Sequence, residues 1–448
     1  MNKNLSKKNA VLLVSENSNF FIENYFGIIK SGAICVPINP ALSSDEIKYI
    51  IDSLNIKVIF TQNKFCEKIK SLNYKDVEIY TDKSDLNIIC YEVNNNTDNI
   101  NIKEDVAVIL FTSGSTGNPK GVMLTHYNLI YNTNSIIEYL KLTNNDRVEM
   151  VLPFYYCYGT SILHTHFRVG GSLVINNKFM FSQTVIEDIN KYNCTGFSGV
   201  PSTYQILLRM TDMKNTKFPT LRYITQAGGK LPEIFIKQLI DILGVVDIFI
   251  MYGQTEATAR LSYLPPYLIK EKMNSIGRGI KGTQLQVLNS QGNKVKVGEI
   301  GEVVAQGGNI MKGYFNDKQA TDKVLIKGNL YTGDVAKVDD DGFIYIVARE
   351  KNIIKSGGIR ISPKEIEDII LQIPEIVECV VIGVLDDILG EAVKAFVVLV
   401  ADKPFVDFKY ILDFCKKQLP SYKTPRYIEF LSTLPKNSSG KVLIKQLK

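Results

Sequence analysis

The residues best suited to chemistry lie in Phe111–His126, FTSGSTGNPKGVMLTH. An apolar run, VAVILF at 106–111, leads straight into Thr112, Ser113, Gly114, Ser115, Thr116 and Gly117, with Lys120 close behind. Small residues let backbone N–H groups curl around an anion, hydroxyls add donors, and the lysine adds positive charge. That combination suits a polyphosphate. It is not a Walker A loop, which needs G-x-x-x-x-G-K-[ST]: five residues beyond Gly114 stands Pro119, and Gly121 follows the lysine. A plain Gly/Ser-rich surface turn is the duller reading, weakened by the core strand before it and the lysine after it. A second glycine cluster, Gly277-Arg278-Gly279-Ile280-Lys281-Gly282, matches G-x-G-x-x-G. A dinucleotide fingerprint follows a strand and opens a helix. No clear strand precedes this one and the β-patterned TQLQVL follows, so it reads as a turn in a β subdomain and an oxidoreductase loses its support.

The elements that must hold these residues come from a chain of 448 residues, 45% hydrophobic and 22% charged. Those values exclude a disordered or collagen-like chain and leave ample length for a large core. The net charge of +6 resides wholly in residues 401–448, which hold ten Lys/Arg against four Asp/Glu. A basic end suits an anionic partner, and a solvated face explains it about as well. Seven scattered cysteines without a CxxC pair offer neither a disulfide framework nor a zinc site. No apolar run reaches the roughly 18 residues of a membrane helix, nor the length of a signal-peptide core. The composition reads as a soluble cytoplasmic protein with no membrane span and no nucleic-acid partner.

Through residue 250, short β-branched runs alternate with helical periodicity. VLLV (11–14), a run at 33–36, KVIFT (57–61), VAVILF (106–111), RVEMVLP (147–153), SLVI (172–175), RYITQAG (222–228) and DIFIMYG (247–253) read as strands. FFIENYFGIIK (20–30) reads as a helix, and another begins near Ser43, where Ser43 and Glu46 have capping-box spacing. Such alternation implies right-handed crossovers and parallel, buried sheets. Residues 63–103, polar and Asn-rich, read as a surface region. From about 275 to 346 a Gly-rich alternating pattern predicts a β subdomain. A polar break at 349–356 precedes a fresh mixed pattern, with a helix from Pro363, the strands ECVVIGVL and AVKAFVVLV, and a helix around 410–418. The expected domains are 1–350 and 351–448.

With the phosphate-type loop in hand, four further motifs follow in order: MYGQTEAT at 251–258, YTGDVA at 331–336, AREKNIIKSGGIRISPKEIE at 348–367 and LPKNSSGK at 434–441. Together the five resemble the adenylate-forming (ANL) superfamily of acyl- and aryl-CoA synthetases, stand-alone adenylation enzymes and luciferases. The resemblance runs from about residue 10 to the end. It implies an α/β fold, with two parallel-type α/β subdomains and a β subdomain in a large N-terminal domain, and a small mobile α+β C-terminal domain. It also implies an AMP-forming acid–thiol ligase, in which a carboxylate oxygen attacks the α-phosphorus of ATP and the acyl group then passes to a pantetheine thiol. Passage to an amine instead, or a non-catalytic acyl- or nucleotide-binding module, are the alternatives.

By this resemblance Thr112, Ser113, Gly114, Ser115, Thr116, Gly117 and Lys120 would hold the phosphates. Tyr252 would pack on adenine, with Gly228 and Gly229 bordering its pocket. Thr255 would bond the α-phosphate, and Glu256 would help hold Mg²⁺, which favours a few oxygen ligands on a nucleotide. Asp334 would take the ribose hydroxyls, with Arg349 adding a ribose or phosphate contact. Lys441 would bridge carboxylate and α-phosphate during adenylation, Lys351 would be the hinge, and Ser356, Gly357 and Gly358 would line a pantetheine tunnel. The cofactors implied are ATP, Mg²⁺, and CoA or the phosphopantetheine of a carrier protein.

LPFYYCYGTSILHTHF (152–167) matches the superfamily's acid-side motif with a departure. Many members carry His where Tyr156 stands, and those that activate α-amino acids carry Asp where Cys157 stands. An α-ammonium group needs a carboxylate partner when buried, so its absence argues against an amino acid. Tyr155, Tyr156, Cys157, Tyr158, Gly159, Phe197, Gly199 and Gln226 are expected around a mainly apolar pocket with one or two polar groups, suiting a fatty, aryl or hydroxy acid. The basic C-terminal region is expected to meet CoA phosphates or an acidic acyl or aryl carrier protein. Superfamily members usually carry an additional N-terminal segment before the position of VLLVSEN, which raises the expectation of a partner.

Overall fold

A computed structural model of the protein describes residues 9–83, 100–112, 119–349, 352–400, 406–437, 440 and 442–447. The first sheet comprises β1 (Ala10–Val14), β2 (Ile34–Ile38), β3 (Val58–Thr61), β4 (Glu78–Thr81), β5 (Val106–Thr112) and β6 (Lys120–Thr125), in the order β6-β5-β2-β1-β3-β4. All pairs are parallel except β5–β6, an antiparallel hairpin. Helices α1 (Asn19–Lys30), α2 (Ser44–Leu54) and α3 (Asn63–Lys70) make the crossovers. Ser43 and Glu46 form the reciprocal capping box expected from their spacing. Ile47, Ile50, Ile51 and Leu54 then form one buried stripe on α2. Each such side chain contributes roughly 1.5–3 kcal/mol on burial, which outweighs the weak helix propensity of β-branched residues. The polar region after residue 62 supplies α3 and the edge strand β4 before it leaves the described residues at 84–99.

Helix α4 (His126–Leu140) leads to a second sheet with β7 (Arg147–Met150), α5 (Cys157–Val169), β8 (Ser172–Ile175), α6 (Gln183–Lys191), β9 (Gly196–Gly199), α7 (Pro201–Met210), β10 (Tyr223–Gln226), α8 (Glu233–Leu243), β11 (Asp247–Tyr252), β12 (Ser262–Leu264) and β13 (Arg278–Gly279). Its order is β13-β12-β11-β10-β9-β7-β8, with β7 to β11 parallel and β12 and β13 antiparallel. The strand expected through Pro153 ends at Met150, because the chain must turn out to start α5.

The third sheet is antiparallel and is built from β14 (Gln284–Leu288), β15 (Gly301–Gln306), β17 (Leu325–Ile326), β18 (Asn329–Val338) and β19 (Ile344–Arg349). This region is threaded through its neighbours. The two-residue β16 (Gly313–Tyr314), which precedes α9 (Lys318–Val324), pairs with β6 of the first sheet. The Gly277–Gly282 cluster proves to be the edge of the second sheet rather than a turn within the third. There Gly277 passes so close to β12 that a Cβ would stand 1.8 Å from the Tyr263 carbonyl oxygen.

The last sheet contains β20 (Ile354–Ser356), β21 (Ile359–Ile361), β22 (Ile376–Asp386), β23 (Gly390–Leu399) and β24 (Tyr427–Phe430), packed by α10 (Pro363–Ile370) and α11 (Phe408–Gln418). The fold is therefore two parallel-type α/β units, a β unit and a small α+β unit. Lys230 pairs with Asp368 of α10 at 2.6 Å. The Ser202 hydroxyl at the start of α7 donates to the Gly440 carbonyl at 3.1 Å. No helix of the described residues is long and apolar enough to cross a membrane.

Candidate active site

The β5–β6 hairpin, the short β16 and the turn after β11 supply the first group of residues. Thr112 and Lys120 face each other across the β5–β6 hairpin, so they bracket residues 113–119 of the phosphate-type motif. Ser113, Gly114, Ser115, Thr116 and Gly117 of that loop lie outside the described residues. The Lys120 ammonium stands 4.9 Å from the Tyr314 ring centre, and the Tyr314 hydroxyl donates to Glu256 at 2.8 Å. Burial first, and then the Glu256 carboxylate, push the Tyr314 phenol far up, so it stays a protonated donor. Lys120, Tyr314 and Glu256 thus form one cluster from three distant stretches of chain. Among the described residues no group of three His, Cys, Asp or Glu side chains could hold a metal ion. Glu256 is bonded through Oε1. A single carboxylate suits Mg²⁺ on a polyphosphate, which takes most of its ligands from phosphates and water.

A second cluster is built on the β18–β19 register, where Asp334 faces Arg349. Arg349 Nε lies 3.1 Å from Asp334 Oδ1, and the Tyr252 hydroxyl donates to Asp334 Oδ2 at 2.7 Å. Arg349 also reaches Gln254 Oε1 at 3.5 Å. Burial, with Asp334 next, raises the Tyr252 phenol well above its ordinary range. Asp334 is therefore fixed by two donors, with a lone pair on each oxygen left for further donors.

Between the clusters runs the turn that follows β11. Gly253 is required there, since a Cβ would stand 1.8 Å from the Ala259 carbonyl oxygen. Thr258 and Ala259 hold left-handed backbone at φ 55° and 88°, a strain that recurs at functional sites. The Thr258 hydroxyl, bonded to Asn309 O at 2.7 Å, helps pin it. The turn places the Thr255 hydroxyl 3.5 Å from the Cys157 sulfur, to which it donates. Cys157 opens α5 behind an N-cap, Tyr156, whose side chain makes no cap bond. Gly159 lets the helix start against Pro153, whose carbonyl oxygen would lie 2.0 Å from a Cβ.

The other acid-side residues divide. Gln226 is buried, donates to Gly229 O at 2.8 Å and keeps Oε1 unpartnered among the described residues. Gly228 takes φ 89°, and Gly229 passes Pro201 with 3.2 Å to a notional Cβ. Tyr158 is bonded to Thr225 through its hydroxyl at 2.7 Å, and Tyr155 packs against the core. Phe197 is buried in the hydrophobic core, edge-on to Tyr204 at 5.7 Å, where α7 packs on β9. Gly199 adjoins Thr203 and Tyr204, whose atoms would lie 2.9–3.0 Å from a Cβ.

Ser356, Gly357 and Gly358 form the β20–β21 turn, with Gly357 and Gly358 at φ 55° and 80° and the Gly357 N–H bonded to Leu389 O at 2.8 Å. Among the described residues no hydrogen bond or ion pair joins this turn to the Asp334 or Glu256 clusters. Lys351 and Lys441 lie outside the described residues. Gly440, beside Lys441, is held against Val200 and Ser202. The basic excess of residues 401–448 is partly used internally: Lys423, Arg426 and Lys436 pair with Glu365, Asp386 and Glu378. Tyr314 was not visible as a site residue in the sequence. It stands alone between Gly313 and Phe315 without periodicity, and only the pairing of β16 with β6 brings it to Glu256.

The site thus joins a lysine–tyrosine–glutamate cluster, a half-buried carboxylate set on two donors, and the start of an adjoining helix. Comparison with known proteins identifies the family. The AMP-binding enzyme family model matches residues 1–315 and the AMP-binding enzyme C-terminal domain matches 365–441. The chain is 30% identical to an oxalate–CoA ligase of Arabidopsis thaliana, with 97% of this chain and 86% of the relative covered. It is likewise 30% identical to a feruloyl-CoA synthase of an Amycolatopsis species, covering 97% and 87%. Among solved structures, the anthranilate–CoA ligase AuaEII with anthranoyl-AMP superposes with TM-score 0.88 at 27% identity, covering 99% and 87%. O-succinylbenzoate–CoA synthetase of Bacillus subtilis with ATP and magnesium gives 0.83 at 27%, covering 99% and 90%. The chain belongs to the AMP-binding enzyme family. It is an AMP-forming acid–thiol ligase.

Proposed function

We propose that the protein condenses ATP with a carboxylic acid at the Thr255–Cys157 junction, releases pyrophosphate, and passes the acyl group from the adenylate to the thiol of CoA. The 3.5 Å contact between Thr255 and Cys157 carries this reading, because it joins the nucleotide side of the site to the acid side. Asp334, preset by Tyr252 and Arg349, accepts from the ribose hydroxyls. Lys120 and the loop before it neutralise the β- and γ-phosphates, and Glu256, held by Tyr314, would help hold Mg²⁺, which when bound would spread negative charge on the phosphates. The Thr255 hydroxyl donates to an α-phosphate oxygen, and the positive end of α5 faces the same region. Donors fixed before the reaction need no reorganisation as charge develops on phosphorus.

Lys441 is assigned to the bridge between carboxylate and α-phosphate, since the Gly440–Ser202 bond holds its neighbour at the start of α7. Lys351 is assigned as the hinge and Ser356, Gly357 and Gly358 as the pantetheine path, which the domain reaches by rotation. Relatives named for oxalate, ferulate and long-chain fatty acids differ in their acids, so the acid must be argued from this chain's own residues. Cys157 supplies no carboxylate for an α-ammonium group, which argues against an α-amino acid. A holo carrier protein is the alternative acceptor.

The test is pyrophosphate release with ATP, Mg²⁺ and a panel of acids, with hydroxylamine trapping the adenylate and CoA or a holo carrier protein added in parallel. Acid-dependent release followed by thioester formation is expected. Binding of ATP with no release from any acid would refute the reading.

A further inference from the structure

Glu256 is held at two places by one stretch of chain that lies outside all five motifs. The Met311 N–H donates to the Glu256 main-chain carbonyl at 2.9 Å, and the Tyr314 hydroxyl donates to its carboxylate at 2.8 Å. Residues 307–314, GGNIMKGY, thus run as a strap along the turn after β11. The strap is itself anchored. Asn128 of α4, a buried residue, donates from its amide to Gly308 O and Ile310 O, both at 2.8 Å. Further on, β16 pairs with β6 of the hairpin that carries Lys120.

Asn309, in the middle of the strap, is 0% exposed. Its Nδ2 donates to Arg260 O at 2.7 Å and to Ala257 O at 3.4 Å. Its Oδ1 accepts from the Thr283 hydroxyl at 3.0 Å, and its main-chain carbonyl accepts from the Thr258 hydroxyl at 2.7 Å. Carbonyl oxygens only accept, so the amide nitrogen must face Ala257 and Arg260. The chain makes room for this amide with Gly307, where a Cβ would stand 2.6 Å from Asn309 Oδ1.

The turn that Asn309 grips needs holding. Thr255–Ala257 form a single 3₁₀ turn, and Thr258 and Ala259 follow in left-handed backbone. Such conformations persist only where the surroundings over-determine them. The same turn sets where the Thr255 hydroxyl and the Glu256 carboxylate stand. Groups that meet developing charge help only if they are in place beforehand, and a small displacement costs rate. Arg260 O also accepts from Asn132 Nδ2 at 2.9 Å, so it stays bonded without Asn309. The loss on removing Asn309 therefore falls on the placement of the turn.

We infer that Asn309 is a positioning residue for acid activation, fixing the Thr255–Glu256 turn through Ala257, Thr258 and Arg260. This rests on the reaction proposed above and adds to it a residue that acts only through Thr255 and Glu256.

The experiment compares the full-length wild type with Asn309→Ala, Thr283→Val and the double variant. Pyrophosphate release is followed over ATP and Mg²⁺ with the acid that the wild type uses best, and ATP binding with and without Mg²⁺ is measured by calorimetry. Asn309→Ala should lower kcat roughly 10- to 100-fold and raise the half-saturating Mg²⁺ concentration by about fivefold or more, with KM for ATP at saturating Mg²⁺ within about threefold of wild type. Thr283→Val, which leaves the amide in place without its orienting donor, should show the same pattern at smaller size. Added to Asn309→Ala it should cost nothing further, because both act through one amide. It decides the matter if the Ala variant does not fold. Wild-type kcat and Mg²⁺ dependence in the deciding variant overturns the inference, and so does an equal loss of kcat and of Mg²⁺-free ATP binding, the signature of a general loss of structure. A wild type that binds ATP yet releases no pyrophosphate with any acid refutes the reaction reading instead. The inference is then sustained if Asn309→Ala weakens ATP binding only when Mg²⁺ is present, and overturned if it does not.

Discussion

Replacing Tyr314 by Phe isolates one oxygen atom in the site. The ring under Lys120 remains, and so does the packing of a residue only 8% exposed. The loss is the 2.8 Å bond to Glu256. A hydrogen bond to a charged group contributes about 1.5–3 kcal/mol, and the freed carboxylate can recover part of that from water because Glu256 is not fully buried. A net cost of about 1.5–2.5 kcal/mol corresponds to roughly 10- to 70-fold in rate or metal affinity. Pyrophosphate release should therefore fall by that factor, with the half-saturating Mg²⁺ concentration rising in step, while ATP binding without Mg²⁺ stays near wild type. Because the phenol is raised far above its ordinary range, the wild type keeps the donor across pH 6–10 and the ratio of the two rates should be flat there. Steady-state assays over Mg²⁺ and pH measure both. Equal Mg²⁺ dependence in the two proteins would refute the role given to Tyr314 in placing Glu256.

Further outcomes follow from other contacts. Asp334→Asn should weaken nucleotide binding by roughly 10- to 100-fold by calorimetry while shifting Tm little, since its partner Arg349 is 43% exposed and exposed pairs contribute about 0–1 kcal/mol. Lys441→Ala should cripple adenylate formation yet spare thioester formation from supplied acyl-adenylate; equal loss in both half-reactions would remove its assignment. Gly253→Ala should abolish activity and lower Tm, because a Cβ 1.8 Å from a backbone oxygen forces the strained turn open; a wild-type Tm would contradict the geometry. Glu149, buried and raised to about 8 by desolvation and then by Asp188, binds its proton more tightly folded than unfolded. Stability is thus fully present below about 4.5 and is lost as pH rises towards 8, by at most about 5 kcal/mol and by a few after relaxation. Glu149→Gln should raise Tm more at pH 8 than at pH 5 in calorimetry, and an equal shift at both would show that Glu149 does not titrate in this window.

The sequence by itself determined the elements and the chemistry of single motifs. Buried runs such as VLLV and DIFIMY can only be core strands, and Ser43 with Glu46 can only start a helix in that pattern, because period and capping are local properties. The order of five motifs carried the reaction class through their resemblance to the adenylate-forming superfamily, while the loop's residue types alone pointed only to a polyphosphate. What spacing could not show was which strands exchange between sheets. Arg278–Gly279 and Gly313–Tyr314 leave the β region for the α/β sheets, and two-residue strands have no period to read. Tyr314 meets Glu256 and Lys120 only through that exchange, Phe197 lies in the core where α7 packs on β9, and Asn309 meets Ala257 and Arg260 from a distant stretch of chain. Such contacts are decided by side chains far apart in sequence closing on one another, where burial and charge have no local signature.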